Sequence, residues 1–295
     1  MPMSSVPDPG GALLCVRDLT ITYRNGAHAG IRAVDGVDLS VAHGEIVGLL
    51  GESGCGKTSI GMALLGMLPS TATRSGGMYF RNEDLATLTP DEMREIRGAG
   101  IAMVFQDHTL ALNPAMRVRD QVIEVLRAHR DLDRKECRRL VEDLLMGLEL
   151  GDVDRIGNSY PHQLSGGQCQ RILIAQSLIC DPSLIIADEP TASLDTRTAL
   201  DIIKLIRHIN QKNSTSFLFI SHDPAVLRAL AHTVIVMHAG RIVEQGTADQ
   251  VLNRPSHPYT WALLAAQRGD LGEDKFARAE NLSSLPSAGV PTHGA

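Results

Sequence analysis

The chain is poor in aromatic residues: Phe, Trp and Tyr together make up 3% of its 295 residues. Its core must therefore rest on Leu, Ile, Val, Met and Ala, within a hydrophobic content of 43%. No apolar run reaches the roughly 18–20 residues that a bilayer-crossing helix needs. Residues 1–10 lack the basic-then-apolar order of a secretory signal. The expectation is a cytosolic protein whose membrane role, if it has one, runs through other chains. Positive charge is also short. Lys and Arg number 28 against 34 Asp and Glu, and the net charge of −6 argues against nucleic acid as the main partner, since phosphate backbones reward basic patches. The five cysteines (Cys15, Cys55, Cys137, Cys169 and Cys180) form no CxxC pair and no zinc-type cluster with histidine, so free reduced thiols are expected. Internal repeats and low-complexity tracts are absent as well.

What is present is an alternation of short apolar strands with helices. Val16–Tyr23 and Ala33–Val41 read as strands around a turn-rich tip at Arg24–Gly30. Glu45–Leu50 is nearly all apolar, as strands buried on both faces are. A glycine loop follows it, and then an apolar helical stretch, Thr58–Leu68, before Pro69. Thr71–Phe80 and Ile101–Phe105 suggest further strands. Asp120–Leu150 is charged and helical in period, with Val122, Val125, Leu126, Leu140, Leu144 and Leu145 as its apolar face. Beyond it lie a helix at Gly167–Cys180, a strand at Leu184–Ala187, a helix at Thr196–Asn210, a strand at Ser216–Ser221 and a helix at Pro224–Ala231. A hairpin of Thr233–His238 with Arg241–Glu244 comes last. The pattern predicts an α/β sheet with helices on both faces and a ligand at the carboxyl ends of its strands.

Two segments carry phosphate chemistry on their own residues. Gly51, Glu52, Ser53, Gly54, Cys55, Gly56, Lys57 and Thr58 match GxxxxGK[ST], between an apolar strand and a helix as that motif requires, with Ser59 following in the helix. Its glycines let backbone N–H groups turn inward on phosphate oxygens, and the helix adds its positive dipole end. Lys57 is placed to reach the β- and γ-phosphates and Thr58 to hold Mg²⁺. Asp188 and Glu189 close a second buried strand, where two carboxylates are costly unless solvated or metal-bound. Asp188 is read as the Mg²⁺ ligand, through water, and Glu189 as the base that polarises the attacking water. A third segment, Leu164, Ser165, Gly166, Gly167 and Gln168, has the same physics: a hydroxyl, two glycines and a helix N-terminus. A second phosphate site in one chain is redundant unless it serves another nucleotide.

These segments in this order resemble the ATP-binding subunits of ABC transporters, and the likeness covers nearly the whole chain. The resemblance implies a P-loop NTPase fold with a β-rich N-terminal subdomain and an inserted helical subdomain. It implies residues 1–11 as a flexible leader, 12–265 as the nucleotide-binding domain with its helical subdomain at about 107–175, and 266–295 as a mobile tail. It resolves the redundancy: Ser165, Gly166, Gly167 and Gln168 would cover the γ-phosphate held by a second subunit, with two ATPs sandwiched in a head-to-tail dimer. Gln106 matches the Q-loop, which contacts Mg²⁺ or the water; His222 matches the switch histidine at the γ-phosphate; Asp195 matches the D-loop facing the partner subunit. Tyr23 is either an adenine-stacking ring or plain strand packing. At Cys169 many relatives carry a basic residue instead.

Gly51–Lys57, Phe105-Gln106-Asp107 with Leu112-Asn113-Pro114, Tyr160-Pro161-His162, and Pro255-Ser256-His257-Pro258-Tyr259-Thr260 with Ala262-Leu263-Leu264 resemble the dipeptide, oligopeptide and nickel importers. That branch implies two transmembrane permease subunits, an external solute-binding protein and a second ATP-binding subunit, identical or different. It places the chain on the cytoplasmic face of the membrane. No cysteine follows Cys180, so the iron–sulfur cluster of some longer relatives is not expected. The alternative is a non-transport ABC ATPase of the DNA repair or translation class. The coiled coils, zinc insertions or tandem units of those proteins have no counterpart here.

Overall fold

The computed structural model describes residues 11–25, 28–106 and 111–267. The predicted leader and tail therefore fall outside the described residues, apart from Gly11, Ala266 and Gln267, and so do residues 26–27 of the hairpin tip and 107–110 after Gln106.

Two sheets organise the chain. The first is antiparallel, in the order β2-β1-β4-β5, from β1 (Ala12–Asn25), β2 (His28–Ala42), β4 (Ala72–Phe80) and β5 (Glu83–Asp84). The second runs β10-β9-β3-β8-β7-β6. Its strands are β3 (Ile46–Leu50), β6 (Ile101–Val104), β7 (Leu184–Asp188), β8 (Ser216–Ser221), β9 (Thr233–His238) and β10 (Arg241–Thr247). All its pairings are parallel except β9–β10, an antiparallel hairpin at one edge.

Strands β3, β7 and β8 are buried at every position, which is why they read as continuous apolar runs rather than alternating ones. Their side chains still divide by parity. Phe217 and Phe219 pack with the helical half of the molecule; Leu218 and Ile220 pack with the antiparallel sheet and with α1 (Lys57–Leu64). The parallel sheet is thus the wall between two hydrophobic cores.

Helices α2 (Pro90–Ala99), α3 (Val118–His129), α4 (Arg134–Gly147), α5 (Val153–Gly157), α6 (Gly166–Leu178), α7 (Thr196–Asn213), α8 (Pro224–Leu230), α9 (Ala248–Asn253) and α10 (Pro258–Gln267) complete the fold. The periodic stretch Asp120–Leu150 is two helices, not one. Arg130 is extended, and Asp133 caps α4 by accepting the Glu136 N–H at 2.8 Å. An aspartate offered to the backbone as a cap starts a helix more readily than it sits inside one. Buried Arg119 ties the pieces together, at 3.0 Å from Asp154 and 3.5 Å from Glu142. Helix α1 stops at Leu64, short of the predicted Leu68, where Gly66 turns left-handed (φ +60°). Helix α2 was not expected, although Thr89, Pro90 and Glu92 spell its capping box. The domain end expected at residue 265 falls inside α10.

Candidate functional site

The carboxyl ends of β3, β7 and β8 open on one cleft of about 720 Å³. Its loop, residues 51–56, joins β3 to α1. The loop must pass very close to its neighbours. A Cβ on Gly56 would lie 2.2 Å from the Ala33 carbonyl oxygen, and Gly56 itself holds φ +105° as the N-cap of α1. No side chain caps α1, so the N–H groups of its first turn stay free for an anion. Lys57 is buried, and its Nζ donates to the carbonyls of Gly51 at 2.8 Å and Glu52 at 2.7 Å. The ammonium is held over the loop by acceptors that a phosphate can replace.

Thr58 Oγ1 donates to Asp188 Oδ2 at 2.8 Å. The other carboxylate oxygen, Asp188 Oδ1, is buried with no partner among the described residues. Burial pushes the Asp188 carboxyl above its usual range; the Thr58 bond and Lys57 oppose this, and Glu189 adds to it. An orphaned, desolvated carboxylate oxygen beside a hydroxyl is a donor set suited to a hard divalent cation. Glu189 follows in a left-handed conformation (φ +48°), with its carboxylate oxygens 2.8 and 2.9 Å from His222 Nδ1. Tyr23 Oη lies 3.0 Å from Ser59 Oγ.

The cleft brings together Tyr23, Gly51–Gly54, Gly56–Ser59, Gln106, Asp188, Glu189 and His222. Three expected groups behave differently. Cys55 does not line the cleft; its buried thiol packs into the core and accepts from Lys57 Nζ at 3.6 Å. Ser165–Gln168 do not line the cleft. Ser165 caps α6, accepting the Gln168 N–H at 3.3 Å while Gln168 Oε1 accepts the Ser165 N–H at 3.0 Å. Asp195 also stands apart from it, capping α7 through the N–H groups of Arg197 and Thr198. Cys169 is buried against the Pro161 carbonyl, so no basic head projects from that position. Sequence reasoning missed the contribution of Ala33, and of Leu263, Ala266 and Gln267 on α10. Only Leu263 belonged to a segment already singled out.

The family model described as "ABC transporter" matches residues 34–192. The chain belongs to the ABC transporter ATP-binding family. Among curated proteins, this ABC chain is 41% identical to the "Probable peptide ABC transporter ATP-binding protein y4tR" of Sinorhizobium fredii, over 95% of this chain and 82% of that one. It is 40% identical to the "Dipeptide transport ATP-binding protein DppD" of Bacillus subtilis, over 86% of this chain and 76% of that one. Among solved structures it resembles the dimeric post-hydrolysis state of the ATP-binding cassette MJ0796 bound to ADP and Pi. The TM-score there is 0.70 at 29% identity, covering 80% of this chain and 98% of that chain. ATP is accordingly the nucleotide of this family member.

Proposed function

We propose that the chain is the ATP-hydrolysing subunit of a peptide importer, working as half of a head-to-tail pair. One observation carries this reading. The anion-binding loop around Lys57 lines the cleft and the Ser165–Gln168 helix start does not, which supports reading each as half of a phosphate site. A second subunit, identical or homologous, completes both.

In this reading ATP lies in the cleft, with Lys57 and the free N–H groups of α1 on its phosphates and Tyr23 at its base. Thr58 and Asp188, with Gln106 beside them, would hold Mg²⁺, which would supply positive charge against the phosphates. Glu189 orients the attacking water and takes its proton. His222 reaches the γ-phosphate once its pairing with Glu189 gives way. Ser165, Gly166, Gly167 and Gln168 of each subunit cover the nucleotide of the other, and Asp195 faces the dimer axis. ATP favours the closed pair and hydrolysis releases it, which is the differential binding that coupling requires.

Among the described residues no helix is long and apolar enough to cross a membrane. In this reading two transmembrane permease subunits carry the solute, an external binding protein delivers it, and this chain sits peripherally on the cytoplasmic face. The curated names, peptide and dipeptide transport, support a peptide solute. The net charge of −6 supports the absence of a nucleic-acid role. The test is uptake of a labelled dipeptide into proteoliposomes holding the chain, its second ATP-binding subunit and the two permease subunits, with the solute-binding protein supplied on the external side. ATP-dependent uptake that is lost with Lys57→Ala is the expected result. Vigorous ATP hydrolysis with no uptake of any peptide would remove the peptide assignment.

A further inference from the structure

We propose that α10 is a strut that holds the backbone of His222 in place, and that Gln267 at its tip is a positioning residue for hydrolysis. The proposal rests on the ATPase reading above and deepens it.

The near end of the strut is anchored twice. Glu244 on β10 accepts the Ser256 N–H at 2.7 Å, the Ser256 hydroxyl at 2.8 Å and the His257 N–H at 3.2 Å. One carboxylate thereby gathers the turn that launches α10. Tyr259, in the first turn, is fully buried, its ring 3.9 Å from that of His238 on β9. The helix then spans ten residues, about 15 Å at the usual rise. Its far end reaches the nucleotide cleft, where Leu263, Ala266 and Gln267 form part of the wall. There the Gln267 side-chain amide donates to the His222 carbonyl oxygen.

That contact matters because the His222 side chain is 57% exposed, so packing does not hold the ring, and among the described residues its hydrogen-bond partner is Glu189. The backbone beside it is also restrained by the Asp223 N–H, which donates to Ser221 Oγ at 3.0 Å. The ring's placement follows from its backbone, which lies between the end of β8 and the start of α8. A donor on the His222 carbonyl restrains the peptide there, and through it the geometry of the Glu189–His222 pair. The Pro255–Thr260 segment thereby acquires a physical role, since its residues join the strut to the β9–β10 hairpin.

The test uses the full-length chain in the assembly that sustains wild-type ATP hydrolysis. Gln267→Met keeps the shape and removes the donor. It should lower kcat by about three- to ten-fold, the loss of one hydrogen bond's net worth, with KM for ATP within about two-fold. Glu244→Ala frees the other end and should lower kcat in the same direction. The double variant should be little slower than Gln267→Met alone, because both changes disable one strut. Wild-type kcat in Gln267→Met, a rise in KM alone, or additive losses in the double variant would each overturn the strut. If the wild-type chain neither bound nor hydrolysed ATP, the functional reading itself would fall; a wild type that turns over beside an unaffected Gln267→Met chain sinks only the strut.

Discussion

At the residue scale the cleft holds charge that folding alone does not favour. Lys57 spends its donors on the Gly51 and Glu52 carbonyls, and Asp188 keeps one oxygen buried without a partner among the described residues. Lys57→Ala should abolish ATP binding; titration with a fluorescent ATP analogue checks it, and affinity within a few-fold of wild type would refute the loop's role. Glu189→Gln should bind ATP normally and hydrolyse it about 10²–10⁴-fold more slowly, the range for a lost general base. Asp188 has a pH signature. Its folded pKa is raised by burial, so its ionised form weakens the nucleotide-free fold, and that penalty fades as pH falls through the raised pKa. Asp188→Asn should therefore raise the Tm of the nucleotide-free chain at neutral pH, with the advantage shrinking on acidification. Thermal melts across pH, without nucleotide or Mg²⁺, would show it. The residue types of this cleft were legible in the sequence, because a phosphate loop and a strand-ending acid pair are local patterns. The Glu189–His222 pairing was not, since it joins positions 33 residues apart just beyond the ends of two strands whose adjacency only the sheet creates.

At the element scale, loops and caps decide where chemistry can occur. Gly56→Ala should collapse the anion site, because its Cβ has no room beside the Ala33 carbonyl and its φ of +105° is strained for any other residue. The expected cost is about 1–3 kcal/mol with loss of ATP binding, read by denaturant melts and nucleotide titration. The α10 anchor has its own pH dependence. Burial alone would raise the Glu244 carboxyl, but the Ser256, Thr260 and His257 donors together outweigh it and hold it below its usual range. A lowered folded pKa gives stability that is complete above the unfolded value and is lost as pH falls through the folded one. Trp261, the chain's one tryptophan, lies on α10 and is 56% exposed. Its fluorescence should change as acid protonates Glu244 in the wild type, whereas Glu244→Gln, with nothing to titrate there, should show the acid-form signal already at neutral pH. Central strands and amphipathic helices were readable from period and composition, but helix ends were not. Asp133 as a cap and Arg130 as a break depend on which backbone groups lack partners, and periodicity carries no such information.

At the scale of the whole molecule, the parallel sheet separates a core shared with the antiparallel sheet from a core shared with the helical half. The phosphate loop opens at the strand ends, while the Ser165–Gln168 helix start belongs to the helical half. This separation predicts complementation. A Lys57→Ala chain and a Gly167→Val chain should each be inactive, the second because a side chain at Gly167 would drive into Thr198. Mixed, they should recover part of the ATPase activity, since each mixed dimer retains one intact composite site. No recovery over a range of mixing ratios would count against a head-to-tail pair of two copies of this chain. ATP should also shift the Glu189→Gln chain from monomer to dimer in gel filtration, and Lys57→Ala should not respond.

The sequence by itself determined the chemistry of the phosphate loop, the acid pair and the helix-capping signature, because each is set by neighbours within a few residues. It also determined the buried central strands, because burial on both faces leaves an unbroken apolar run. Only the tertiary structure decided that Asp188 keeps an unpartnered oxygen beside Thr58, that Glu189 meets His222, and that α10 closes one side of the cleft with Gln267 on the His222 carbonyl. Those contacts join residues 33 to 130 positions apart, and such pairings exist only once strand order and helix packing have brought the chain together.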